Sequence, residues 1–164
     1  MKDLLQNLIE ALREELKEYG EMLALLDHQQ EMVMHRQTQD LLQCVAAINA
    51  QSQTIAATRL EREQHQRNVA RHLDLPENSG LSVIVPQLPS GYRPLAEALV
   101  RENNELLARV QRRARQNHLL LSRAVELMQR FIGSLFPAGQ PATYDGGGHS
   151  HAPLPERTMY DAIG

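Results

Sequence analysis

The stretch LLQNLIEALREELKEYGEMLALL, Leu4 to Leu26, decides the fold class. Its seam, carried on to Val33, reads Leu5, Leu8, Leu12, Leu16, Tyr19, Leu23, Leu26, Gln30, Val33, with one polar interruption at Gln30. Steps of three and four mix to average about 3.5 residues, the spacing of a helical coiled-coil seam. At ~1.5 Å per residue, about thirty residues make a rod of ~45–50 Å. Such a rod alone leaves its seam uncovered, so other parts of the chain must supply helices.

Glycine and proline mark where those helices are. Residues 1–75 hold no proline and only Gly20, and residues 95–132 hold neither. Residues 137–164 hold four of the eight prolines and five of the nine glycines. Because these residues punctuate regular structure, the pattern is helix, loop, helix, tail. A second seam reads Leu41, Val45, Ile48, Ser52, Ile55, Arg59, Arg62, Gln66, Val69, Leu73. Between the two seams, His35 to Asp40 contains Thr38 and Asp40, either of which can cap a new helix. A single rod through residue 74 competes with a hairpin, and the hairpin is favoured because it covers the first seam. Six Pro and Gly residues from Pro76 to Pro94 then bar a long helix. Within them, Ser79 to Val85 suits one short turn, with Val83, Ile84 and Val85 able to plug the end of the hairpin. The third helix carries Leu95, Leu99, Leu106, Val110, Leu121, Met128, Phe131 and Leu135.

The reading is therefore an all-α fold: an antiparallel long-helix hairpin plus a third long helix. The expected helices span about 2–35, 39–74 and 94–136, with a loop at 75–93, a bundle domain at 1–136 and a flexible tail at 137–164. Composition agrees. Aromatic residues make up 4% of the 164 residues, with no Trp, so the core must be aliphatic. No apolar run approaches the ~18 residues of a membrane span, and the acid-rich start does not read as a secretory signal. The single cysteine, Cys44, fits a reducing compartment. A net charge of −3 does not imply a nucleic-acid partner. Residues 2–34 carry three bases and eight acids, whereas 93–130 carry eight arginines and four acids, so the first and third helices are complementary.

Five features could carry function. At ~100° per residue, Leu120, Leu121, Ala124, Val125, Leu127, Met128, Phe131, Ile132, Leu135 and Phe136 share an arc near 180°. One packing contact uses a stripe of ~100°, so part of this face is left to receive a partner helix, unless the first two helices cover it all. The tail repeats Tyr-Asp-x-x-Gly at Tyr144 and at Tyr160-Asp161, which suits a short linear contact; the alternative is chance. Arg109, Arg112, Arg113 and Arg115 could track phosphates, but they spread around the helix without interleaved aromatics, which fits a salt-bridged face better. His149 and His151 lack a third ligand at metal spacing, and His28 and His35 stand too far apart to chelate one ion. Cys44, with no base or orienting group in a recognised pattern, reads as a small buried hydrophobe. No phosphate loop or dinucleotide fingerprint is present, so neither catalytic residues nor a cofactor are expected.

The order of parts resembles the FlgN-type flagellar export chaperones over nearly the whole length. The residues that carry it are the acid-rich leucine helix, the following DLLQCVAAINAQSQTIAATRLERE, the HLDLP break, ENNELL and QNHLLLSRAVEL in the third helix, and the ending TMYDAIG. Asp74 stands where such proteins often have glycine. The resemblance implies a cytoplasmic chaperone that holds the hook–filament junction proteins FlgK and FlgL by their C-terminal helical part and presents them to the export gate protein FlhA. Joined to the apolar face of the third helix and the tail repeat, this reading puts cargo on Leu121, Val125, Met128, Phe131, Ile132, Leu135 and Phe136, and Tyr144, Tyr160 and Asp161 on cargo or gate. The rival readings are a self-associating structural coiled coil and, further off, a nucleic-acid-binding helical protein.

Overall fold

The computed structural model describes residues 1–35 and 38–135. It is all-α: α1 (Lys2–His35), α2 (Thr38–His72), α3 (Leu81–Ile84) with a 3-10 turn at Val85–Gln87, and α4 (Arg93–Leu135). Two compact units divide the chain, Met1–Glu126 and Leu127–Gly164, so the border falls inside α4.

Within the first unit, α1 and α2 form the antiparallel hairpin. The Cys44 thiol donates to the Leu25 carbonyl at 3.6 Å, Gln51 Nε2 to the Glu18 carbonyl at 3.0 Å, and Arg62 Nε to Glu15 at 3.1 Å. As the α2 number rises, the α1 number falls. Leu5, Leu8, Leu12, Tyr19, Leu23 and Leu26 are buried along the expected seam, joined by Ile9, Met22 and Met32 on a broader face. That breadth follows from α1 packing against both α2 and α4.

The α2 seam differs from the expected one. Leu41, Ile48, Ile55, Arg62 and Val69 do face inward, wholly or in part, but the positions between them are Cys44, Gln51 and Thr58. Val45, Ser52 and Arg59 are exposed. The step order is three then four, not four then three. Apolar type favoured Val45, but side chains that bond across the interface, Cys44 and Gln51, decide the phase.

The connection after α2 closes one end of the bundle. Asp74 adopts the left-handed region, with φ 54°. Leu75 N–H donates to Ala70 O at 2.9 Å and Asp74 N–H to Arg71 O at 3.3 Å. This is a Schellman cap, which usually takes glycine at that position. Ile84, Val85 and Leu88 then enter a core with Leu5, Leu8, Ile9, Leu12, Val69, Ala70, Ala96 and Leu99. Val83, expected to share the plug, is 49% exposed, because the short α3 turns only one side inward. Leu95, expected on the core stripe of the third helix, is likewise exposed in the first turn of α4. Gln66 Nε2 ties the connection to α2 by donating to Ser79 O at 2.7 Å.

Candidate functional site

The last helix is positioned by two buried asparagines. Asn103 Nδ2 donates to the Leu12 carbonyl at 2.9 Å, and Asn117 Nδ2 to the Leu26 carbonyl at 2.6 Å. Both pairs are 91 residues apart, so α4 runs parallel to α1 in a fixed register. Asn117, only 1% exposed, also donates to Gln29 Oε1 at 3.0 Å. Neither Oδ1 atom has a hydrogen-bond partner among the described residues. An amide in an apolar seam costs stability but favours one register, because a slip breaks the contacts it makes there.

Charge assists the same pairing. Arg113 Nε lies 2.6 Å from Asp27, and its guanidinium also donates to Gln30. One member of the arginine cluster thus meets the acidic α1, while Arg109, Arg112 and Arg115 are exposed. Such partly exposed pairs contribute about 0–1 kcal/mol each.

A polar centre lies deeper, between α1 and α2. The buried Glu15 carboxylate accepts from Arg62 Nε at 3.1 Å and from the Tyr19 hydroxyl at 2.9 Å, and Arg59 Nη2 donates to that hydroxyl at 2.9 Å. Burial raises the Tyr19 phenol above its ordinary value. These groups line a cleft of about 200 Å³ that Asn103 and Asn104 complete. A second cleft of about 400 Å³ lies between the connection and α4, with an apolar floor of Leu81, Val85 and Val100. Cys44 is buried, and burial pushes its thiol pKa up, which disfavours the reactive thiolate. No cluster of three metal-ligating side chains occurs among the described residues.

The sequence-derived site residues lie at the end of α4. In the first unit Val125 is exposed and Leu121 half-buried. In the second unit Met128, Phe131 and Ile132 are exposed, Phe131 by 62%, and Leu127 joins them at 65%. Leu119 is a further exposed apolar residue of the first unit that the sequence reading left out; no periodic signal distinguishes it. Leu135 closes α4 but its side chain lies outside the described residues, as do Phe136, Tyr144, Tyr160 and Asp161. Exposed apolar side chains of this kind can bury area against a helix supplied from outside.

No helix among the described residues is long and apolar enough to cross a membrane. A family model described as "FlgN protein" matches residues 1–152. No curated protein and no solved structure matches the chain.

Proposed function

We propose, for a chain that belongs to the FlgN family and is thereby a flagellar export chaperone, that its cargo is the C-terminal helical region of the hook–filament junction proteins FlgK and FlgL. The chaperone works in the cytoplasm, keeps these proteins unassembled and delivers them to the export gate protein FlhA. Cargo sits on the apolar end of α4, at Met128, Phe131, Ile132 and Leu135, with Val125, Leu121 and Phe136 flanking. Tyr144, Tyr160 and Asp161 contact cargo or gate.

The observation that supports this reading is the exposure of Leu127, Met128, Phe131 and Ile132 on one short stretch. Four such side chains, each contributing about 1.5–3 kcal/mol when fully buried, suffice for specific binding after ordering costs are met. The test is calorimetric titration with the C-terminal segment of the same organism's FlgK. Saturable binding that Phe131→Ala with Ile132→Ala weakens at least tenfold is expected. Unchanged binding by that variant removes this face from the site. A self-associating coiled coil would bury the same side chains, and light scattering separates the two: a monomer whose α4 end stays accessible speaks against it.

A further inference from the structure

The side of α2 turned away from α1 carries a second seam. Leu42, Ala46, Asn49, Gln53, Ala56 and Leu60 follow at steps of four, three, four, three and four, and all six are exposed. Leu42 is 75% and Leu60 62% exposed. Cys44, Gln51 and Arg62, which bond to α1, lie roughly half a turn away at ~100° per residue. Alternating steps of three and four keep one helix facing one neighbour.

This seam lies in an uncharged stretch. Leu41 to Thr58 is eighteen residues without Asp, Glu, Lys, Arg or His, whereas no such run in α1 or α4 exceeds six. A solvated surface carries charge on about a quarter to a third of its residues. An exposed helix face with none is suited to contact.

The seam is also palindromic. From either end it reads Leu, Ala, carboxamide, carboxamide, Ala, Leu, with the same steps. A two-fold axis level with Gln51 would set Leu42 against Leu60, Ala46 against Ala56 and Asn49 against Gln53 of an antiparallel second copy. An isologous interface demands this reciprocity. The alanines let the two helices approach closely, and each carboxamide offers the other both a donor and an acceptor. The next two seam positions, Glu63 and Arg67, decide the direction. A parallel pair would set each against its own copy, like charge on like charge. In the antiparallel pair both pass beyond the uncharged stretch of the second copy.

We infer that the outer face of α2, from Leu42 to Leu60, is the interface of an antiparallel homodimer. It takes in none of the proposed cargo residues and does not rest on the cargo reading. Two leucines from each copy make a small seam, so the dimer is reversible and forms at micromolar concentrations.

Sedimentation equilibrium of the full chain, from low micromolar to near-millimolar concentration, should show the mass rising from monomer to dimer. Ala46→Glu with Ala56→Glu puts glutamate against glutamate at two places. It should raise the dissociation constant at least tenfold and leave the urea midpoint unchanged, since both positions are exposed. Direction is read by disulfide cross-linking in a Cys44→Ala background. Ala46→Cys and Ala56→Cys chains should form a linked dimer only when mixed. Alone, like positions stand ten residues apart along the pair, about 15 Å. A monomer at every concentration would overturn the inference, as would a dimer that the double glutamate variant leaves intact, or linked dimers of the Ala46→Cys chain alone. A dimer that Phe131→Ala with Ile132→Ala abolishes would overturn it too, because that contact runs through the end of α4. If the chain stays monomeric and the glutamate variant loses a FlgK segment, the face belongs to cargo instead. The cargo reading fails separately, if that segment binds the Phe131→Ala, Ile132→Ala variant as well as the parent.

Discussion

Asn103 and Asn117 make the same contact two heptads apart: each donates its side-chain amide to a carbonyl of α1 that lies 91 residues earlier. A one-heptad slip would set both amides against new carbonyls and undo the Arg113–Asp27 pair together with them. The two residues act as pins for a parallel register.

Replacing Asn117 by Asp tests the pin. The carboxylate cannot donate to Leu26 or Gln29, and it is buried facing a carbonyl oxygen. Stability should fall by about 3 kcal/mol, read as a lower midpoint in urea unfolding. Asn117→Leu should cost far less, because it removes a buried Oδ1 that has no partner among the described residues.

Glu15 and Arg62 test the polar centre. Arg62→Ala leaves the Glu15 carboxylate buried with only Tyr19 and Arg59 nearby, and should destabilise by about 3 kcal/mol. Glu15→Leu combined with Arg62→Leu should recover most of that loss, since the pair is then replaced by packing. A double variant as unstable as Arg62→Ala alone would show that the centre is needed for more than charge balance.

Asp74→Gly addresses the Schellman cap. An L-residue in the left-handed region is strained by roughly 1–2 kcal/mol, less for Asp, and glycine is not. Thermal unfolding should show a gain of about 0.5–1 kcal/mol. A loss would mean that the Asp74 side chain holds the connection in some other way.

Cys44 should resist thiol reagents in the native chain and react stoichiometrically in urea. Burial raises its pKa and so opposes thiolate formation, and it also restricts access of the reagent. Fast native labelling would show that α2 opens from α1 near its start.

Phe131→Ala with Ile132→Ala should leave the unfolding midpoint within about 0.5 kcal/mol of the parent, as exposed substitutions do, while cargo affinity drops. A large stability loss would place these side chains in the chain's own packing.

The sequence made α1 readable because its apolar residues alone mark the seam. In α2 the periodicity was visible but its phase was not, since Gln51 and Cys44 face inward through bonds that hydropathy does not register. Val83 and Leu95 were misplaced for a related reason: in a four-residue helix, or a first turn, one step of sequence moves a side chain across the surface. The parallel register was also written in the chain, as Asn-x-x-Leu-Leu at Asn103 and again at Asn117. It reads as a motif until the two copies are seen to meet carbonyls at one offset. The exposed end of α4 was legible as an apolar arc wider than one neighbour can cover.

The offset of 91 residues also sets an order in time. Synthesis completes α1 and α2 long before Asn103 and Asn117 exist, so the hairpin can form while the α4 side of α1 is still bare. Contacts so distant in sequence close late and slowly. A growing chain therefore passes through a stage in which the side of α1 that will face α4 is an open apolar groove, its Leu12 and Leu26 carbonyls bonded only within their own helix. Until its own last helix arrives, the nascent protein itself carries an apolar face in need of a covering helix.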